Sequence, residues 1–182
     1  KFGGIPDFRE ISQYTGAYKA RNFEIFRGLM RDNGLAGQAE KFLMASGKLQ
    51  TLCYKYEIER NLRTQDYAGF QLLGLNDYSG QGTALVGPLN VHWREKGYTN
   101  GYEWREFCSA LVPLARFPKF VYSSRDTLKV PGEMYNALYG DIDPVRITYY
   151  VKNDSAVLFG GKLASRGIPQ GKNTQVGTIV LP

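Results

Sequence analysis

Residues 67–87, YAGFQLLGLNDYSGQGTALVG, decide how the rest of the chain is read. The first half is apolar and nearly uncharged, with Phe70, Leu72, Leu73 and Leu75 set among small residues and Gln71. A short continuous apolar run of this kind suits a strand buried on both faces, as in a parallel sheet covered by helices. The second half turns polar at once, through Asn76, Asp77, Tyr78, Ser79, Gly80, Gln81 and Gly82. Polar groups just past the carboxyl end of a parallel strand stand where α/β folds hold their ligands. The same residues also suit an ordinary turn in which Asn76 and Asp77 bond local backbone. The sequence leaves both readings open.

Upstream, residues 35–62 carry Phe42, Ala45, Leu49, Leu52 and Tyr56 at alternating steps of three and four. That spacing predicts one long helix with those residues as its buried stripe, interrupted near Ser46-Gly47. A shorter helix is expected over 17–31, with Phe23, Phe26 and Met30 on one face and Asn33-Gly34 as its stop. Residues 1–16 read as a loop in which Asp7 caps a short turn. Downstream, WREKG (93–97) reads as a charged turn ending at Gly97. Asn100 then caps a helix with Glu103 in its first turn, an apolar face of Trp104, Phe107, Cys108, Leu111 and Ala115, and a kink at Pro113.

Beyond Phe117-Pro118 the texture becomes β-like. RITYYVK (146–152), residues 157–163 with a turn-like Gly160-Gly161, and QVGTIVL (175–181) are separated by turn signals at Asn153-Asp154 and Pro169-Gln170-Gly171. Short strands at this spacing predict a β-sandwich module.

With 43% apolar and 22% charged residues the composition is globular. The 13 Tyr and 10 Phe tilt the surface toward recognition through rings with polar edges. The formal charge of +6 arises from Lys and Arg interleaved with Asp and Glu, which does not favour nucleic-acid binding. Cys53 and Cys108 read as buried free thiols. His92, the single histidine, has no neighbouring His or Cys to complete a metal site. No apolar run approaches the roughly 20 residues of a membrane span, and nothing in the motifs calls for a cofactor. SGQGT (79–83) lacks the Lys of a phosphate-binding loop, so a nucleotide-using enzyme is only a third reading.

The first 120 residues hold several helices but one buried strand. A parallel strand cannot satisfy its backbone groups alone, so its partners are expected outside the chain, in a larger α/β protein. GFQLLGLNDYSGQGTALVG (69–87), ASGKLQTLCYKYEIERNLRT (45–64), EFCSALVPLAR (106–116) and YTGAYKARNFEIFR (14–27) together resemble bacterial glycoside hydrolases of the family 2 kind, the β-galactosidase-like and β-glucuronidase-like enzymes. The resemblance covers most of the chain from about Pro6. It implies an α/β part followed by an all-β part. Residues 1–120 would be the carboxyl-terminal portion of a (β/α)8 TIM barrel, with 67–75 as its eighth strand and 103–116 as its last helix. Residues 121–182 would begin an immunoglobulin-like β-sandwich. It also implies a carbohydrate substrate, the remainder of the barrel as partner, and a periplasmic or secreted location.

Glycoside hydrolysis in retaining enzymes needs two carboxyl groups about 5 Å apart. By the resemblance both glutamates end earlier barrel strands and precede Lys1, so no catalytic residue is assigned here. Glu57 and Glu59 share a helix with Arg60 and Arg63, where ion pairing is the expected role. Asn76, Asp77, Tyr78 and Gln81 are the candidate substrate-binding residues. Amides and carboxylates match the donors and acceptors of sugar hydroxyls, and a Tyr ring can stack on a sugar face. Gly80 and Gly82 are expected to shape the backbone. Trp104 belongs to a helix face and Trp93 is unassigned. The expected activity is retaining hydrolysis of β-linked sugars such as galactosides, this chain supplying the substrate side. A non-enzymatic carbohydrate-binding or interaction module is the alternative.

Overall fold

Helices fill the first part of the chain and antiparallel strands the last, in a computed structural model that describes residues 5–81 and 84–181. After a 3-10 turn at Phe8–Gln13 come helices α1 (Arg21–Asp32), α2 (Ala39–Arg63) and α3 (Gly101–Arg105). Strands β1 (Leu111–Ala115), β2 (Leu128–Asn136), β3 (Ile142–Lys152), β4 (Val157–Ile168) and β5 (Asn173–Leu181) follow. The chain divides into two units, Lys1–Glu57 with Phe70–Trp104 and Ile58–Gly69 with Arg105–Pro182. Among the described residues no helix is long and apolar enough to cross a membrane.

In the first unit, α1 forms where the three-and-four spacing places it, and Phe23 and Met30 are buried. Its end follows from Asn33-Gly34: Gly34 takes a left-handed φ of 71°. That lets Leu35 N–H reach the Met30 carbonyl at 2.8 Å and Gly34 N–H the Arg31 carbonyl at 3.0 Å, closing two orphan acceptors. Asp7 caps the 3-10 turn by accepting from Arg9 N–H at 3.0 Å. Ala20, Phe23 and Leu85 make the core here, with Phe8, Ile11, Tyr14 and Phe26 packed against it.

Two expectations for α2 are corrected. The helix runs unbroken through Gly47, whose missing side chain makes room for the Tyr98 ring. The apolar stripe is not the buried one: Leu49 and Leu52 are each 54% exposed, and Phe42 and Tyr56 are also exposed. Leu43, Gln50 and Thr51 are buried instead. That face carries glycine and polar residues, so its burial is invisible to a pattern of apolar spacing.

Residues 67–75 are likewise corrected. They form no strand, Phe70 is exposed, and Leu73 is 87% exposed. Gly69 and Gly74 adopt φ of 150° and 90°, which interrupts a regular extended backbone. Pairing begins only at Asn76, as an isolated parallel bridge to Leu89. The expected last barrel helix is also absent beyond its first turn. Asn100 does cap it, accepting from Glu103 N–H at 3.0 Å, but 111–115 is β1. Val112 and Leu114 face inward and Pro113 outward on this sheet-edge strand, the position where a strand tolerates proline.

In the second unit β1, β2 and β5 form an antiparallel sheet in the order β1-β2-β5, and β3 pairs with β4 as a hairpin. Asn153 makes the hairpin turn, its Oδ1 accepting from the Ser155 and Ala156 N–H groups. Gly160 and Gly161 lie inside β4 and are no turn; a side chain there would meet the rings of Tyr150 and Tyr149. Met134, Ile168 and Val176 are the core, joined by Leu111, Ile142, Val145, Ile147 and Leu163. Asn136 is fully buried and fully used: its Nδ2 donates to the Gly140 and Ile168 carbonyls at 2.9 Å, and its Oδ1 accepts from Leu138 N–H at 2.9 Å. At the bulge beside Gly132, the buried Glu133 meets Arg116 Nε at 2.6 Å.

The predicted architecture, barrel repeats followed by an immunoglobulin-like sandwich, is therefore not what the chain forms. A barrel strand needs a parallel ladder on both sides, and among the described residues 67–75 have none. An immunoglobulin-like sandwich uses about seven strands; here a three-stranded sheet and a two-stranded hairpin are formed. The fold is a small α+β arrangement with one long helix.

Candidate functional site

The polar stretch after Leu75 is shaped by a close pairing within the first unit. Leu89 N–H donates to the Leu75 carbonyl and Asp77 N–H to the Leu89 carbonyl, each at 3.0 Å, and Tyr78 N–H donates to the Ala84 carbonyl at 2.7 Å. Gly87 makes the approach possible: a Cβ there would stand 2.5 Å from the Asn76 carbonyl carbon. Asn76 and Tyr78 line one side of the stretch, whereas Asp77 between them is 2% exposed and faces the interior.

Asp77 is held by charge. Its Oδ1 accepts from Gly87 N–H at 2.7 Å and from Lys96 Nζ at 2.8 Å. Lys96, in the charged turn WREKG, is itself only 3% exposed. Glu10, 0% exposed, stands beside the pair. Burial first, then the charge of Asp77, pushes the Glu10 carboxyl up to about 8 against the pull of Lys96. Burial pushes Asp77 up as well, opposed by the charge and hydrogen bond of Lys96 and by Gly87 N–H. Two carboxyls thus face one ammonium, and Glu10 is the one that keeps its proton. Arg9 closes the cluster, bonding Asp7 through Nε at 2.8 Å and the Lys96 carbonyl through Nη2 at 2.7 Å.

On the other side of the same stretch lies an open cleft of about 500 Å³. Gln50, Cys53, Tyr54 and Glu57 form its helical wall, at the three-and-four spacing that puts them on one face of α2. Leu73, Asn76, Tyr78 and Gln81 line the facing loop. Gln50 and Tyr98 pin the wall: Gln50 Nε2 donates to the Val86 carbonyl at 2.6 Å and Tyr98 OH to the Gly87 carbonyl at 2.8 Å. The Tyr54 ring rests 5.6 Å from that of Trp104, and burial pushes its phenol up. Gly80 lets the Tyr78 ring fold over the loop, since a side chain there would overlap that ring. Gly82 and Thr83, the end of SGQGT, lie outside the described residues.

Three of the four residues singled out from sequence, Asn76, Tyr78 and Gln81, therefore meet in the cleft, and Asp77 holds the loop from behind. Glu57 and Glu59 part company. Glu59 pairs with Arg63 at 3.0 Å, whereas Glu57 is exposed at the cleft and, among the described residues, makes no hydrogen bond or ion pair. Cys53 is only half-buried and Cys108 is exposed, so neither is the buried thiol expected. The sequence signals missed Glu10, Lys96, Gln50 and Tyr54. Only the last two carried a usable one, their spacing with Cys53 and Glu57.

Chemically, the cleft offers amide and phenol groups beside apolar surface, and among the described residues a single carboxylate. The pair Glu10 and Asp77 is closed to any substrate. Comparison with protein-family models and with curated proteins finds no match for the chain.

Proposed function

We propose that the cleft between α2 and the 73–87 loop binds a β-linked sugar, galactoside-like, and that this binding serves a retaining glycoside hydrolase whose catalytic glutamates lie outside this chain. One observation carries the reading: amide side chains of Asn76 and Gln81 converge with the Tyr78 and Tyr54 rings in a cleft of about 500 Å³, a size and polar-apolar mixture suited to one or two sugar rings. The resemblance of 45–64, 69–87 and 106–116 to family 2 glycoside hydrolases supplies the reaction class.

A lone carboxylate cannot act as both acid and nucleophile. The chain by itself is expected to leave aryl β-glycosides intact while binding methyl β-galactoside. Calorimetric titration tests this, with Tyr78→Ala and Asn76→Ala expected to abolish the heat of binding without unfolding the chain. Turnover by the chain alone, or binding unaffected in both variants, overturns the proposal. The lone carboxylate equally favours a second reading, a carbohydrate-binding module with no hydrolase attached. Absence of glycosidase activity in the longest natural form of the protein selects it.

A further inference from the structure

We infer that the cleft sorts sugars by charge, taking amino sugars first, neutral sugars next and uronates last, with Glu57 as the selecting group. This rests on the sugar-binding reading above and names the substrate class for the same site.

Charge in and behind the cleft points one way. Among the described residues lining it, Glu57 is the only charged side chain, and none is Lys, Arg or His. Its carboxylate is exposed there and bonds no other described residue, leaving it free for a ligand. Behind the loop, the Lys96 ammonium is matched by the Asp77 carboxylate at 2.8 Å, with Glu10 beside the pair. Arg9 is matched there by Asp7 at 2.8 Å. A chain with a net charge of +6 thus presents a locally negative site. The Tyr54 and Tyr78 rings add to the preference, because ring faces attract an ammonium and offer nothing to a carboxylate.

Because Glu57 is solvent-exposed, the selection is modest: roughly two- to fivefold in Kd for each step, the range of exposed ion pairs. The test uses three methyl β-glycosides of one ring, galactose, its 2-amino-2-deoxy counterpart and galacturonic acid. Each is titrated into the isotope-labelled chain in slightly acidic, low-salt buffer and followed by amide chemical shifts. The expected order is amino, neutral, acidic, converging in Glu57→Gln and in high salt. Equal or tighter binding of the galacturonide, or an order that survives Glu57→Gln, overturns the charge filter and leaves the sugar site standing. Failure of all three to bind overturns both.

Discussion

Replacing Glu10 by Gln is expected to remove most of the pH dependence of folding above the ordinary carboxylate range. Glu10 is fully buried and faces Asp77 and Lys96, with Asp7 and Tyr14 close by. Its carboxyl is raised from 4.5 to about 8, by burial first and by the Asp77 charge second. An acid raised in this way keeps its proton in the folded chain at pH values where the unfolded chain has already lost it. The folded state is then favoured most below the unfolded value, and the advantage drains as pH climbs through the folded one. The slope reaches about 1.4 kcal/mol per pH unit, so roughly 3 kcal/mol is lost between the unfolded value and neutrality. That is a large share of the roughly 5–15 kcal/mol that holds a domain together. Gln cannot ionise, keeps the shape, and can donate to the Asp77 carboxylate. Urea unfolding monitored by circular dichroism from about pH 5 to about pH 8 should show the parent weakening steadily and Glu10→Gln weakening clearly less, the remaining slope belonging to the raised Asp77. Parallel profiles for the two proteins would refute the reasoning.

Gly47→Ala should destabilise the first unit by about 1–3 kcal/mol despite alanine's better helix propensity, because its methyl group would overlap the buried Tyr98 ring; thermal melting checks the sign. Gly87→Ala should cost more and also weaken sugar binding, since its Cβ meets the backbone of Asn76 and Asp77, which cannot rotate away; melting and calorimetry read the two effects. Asn136→Leu should cost at least about 2–4 kcal/mol by orphaning the Gly140 and Ile168 carbonyls and Leu138 N–H. Its signature is loss of amide-exchange protection in β2 and β5.

Local signals were legible where a single short-range mechanism decides the structure. Asp7, Asn33-Gly34, Asn100 and Asn153 each act as cap or turn because the side chain or a left-handed backbone closes bonds within a few residues. The strands at 146–152 and 175–181 were legible for a similar reason, their β-branched and aromatic content. What failed was anything decided by distant partners. The 67–75 run looked like a buried strand because apolar content does not reveal whether a ladder exists, and Leu73 ends up almost fully exposed. The stripe from Phe42 to Tyr56 lost to a face containing Gly47, Gln50 and Thr51, buried by Tyr98 and the 84–87 segment. Pro113 read as a helix kink, and only its edge position in a sheet explains it. At the site, Asn76, Tyr78 and Gln81 were legible as a polar cluster after an apolar run. Glu10 and Lys96 were not, because a buried charge far along the chain looks in sequence like any solvated one.

Amide chemical-shift mapping with methyl β-galactoside tests the central claim most directly, because it asks where a sugar sits as well as whether it binds. Shifts concentrated on Cys53, Tyr54, Glu57, Asn76, Tyr78 and Gln81, and lost in Tyr78→Ala, are the predicted result. No shifts at saturating sugar, or shifts confined to the β3–β4 hairpin, would contradict it.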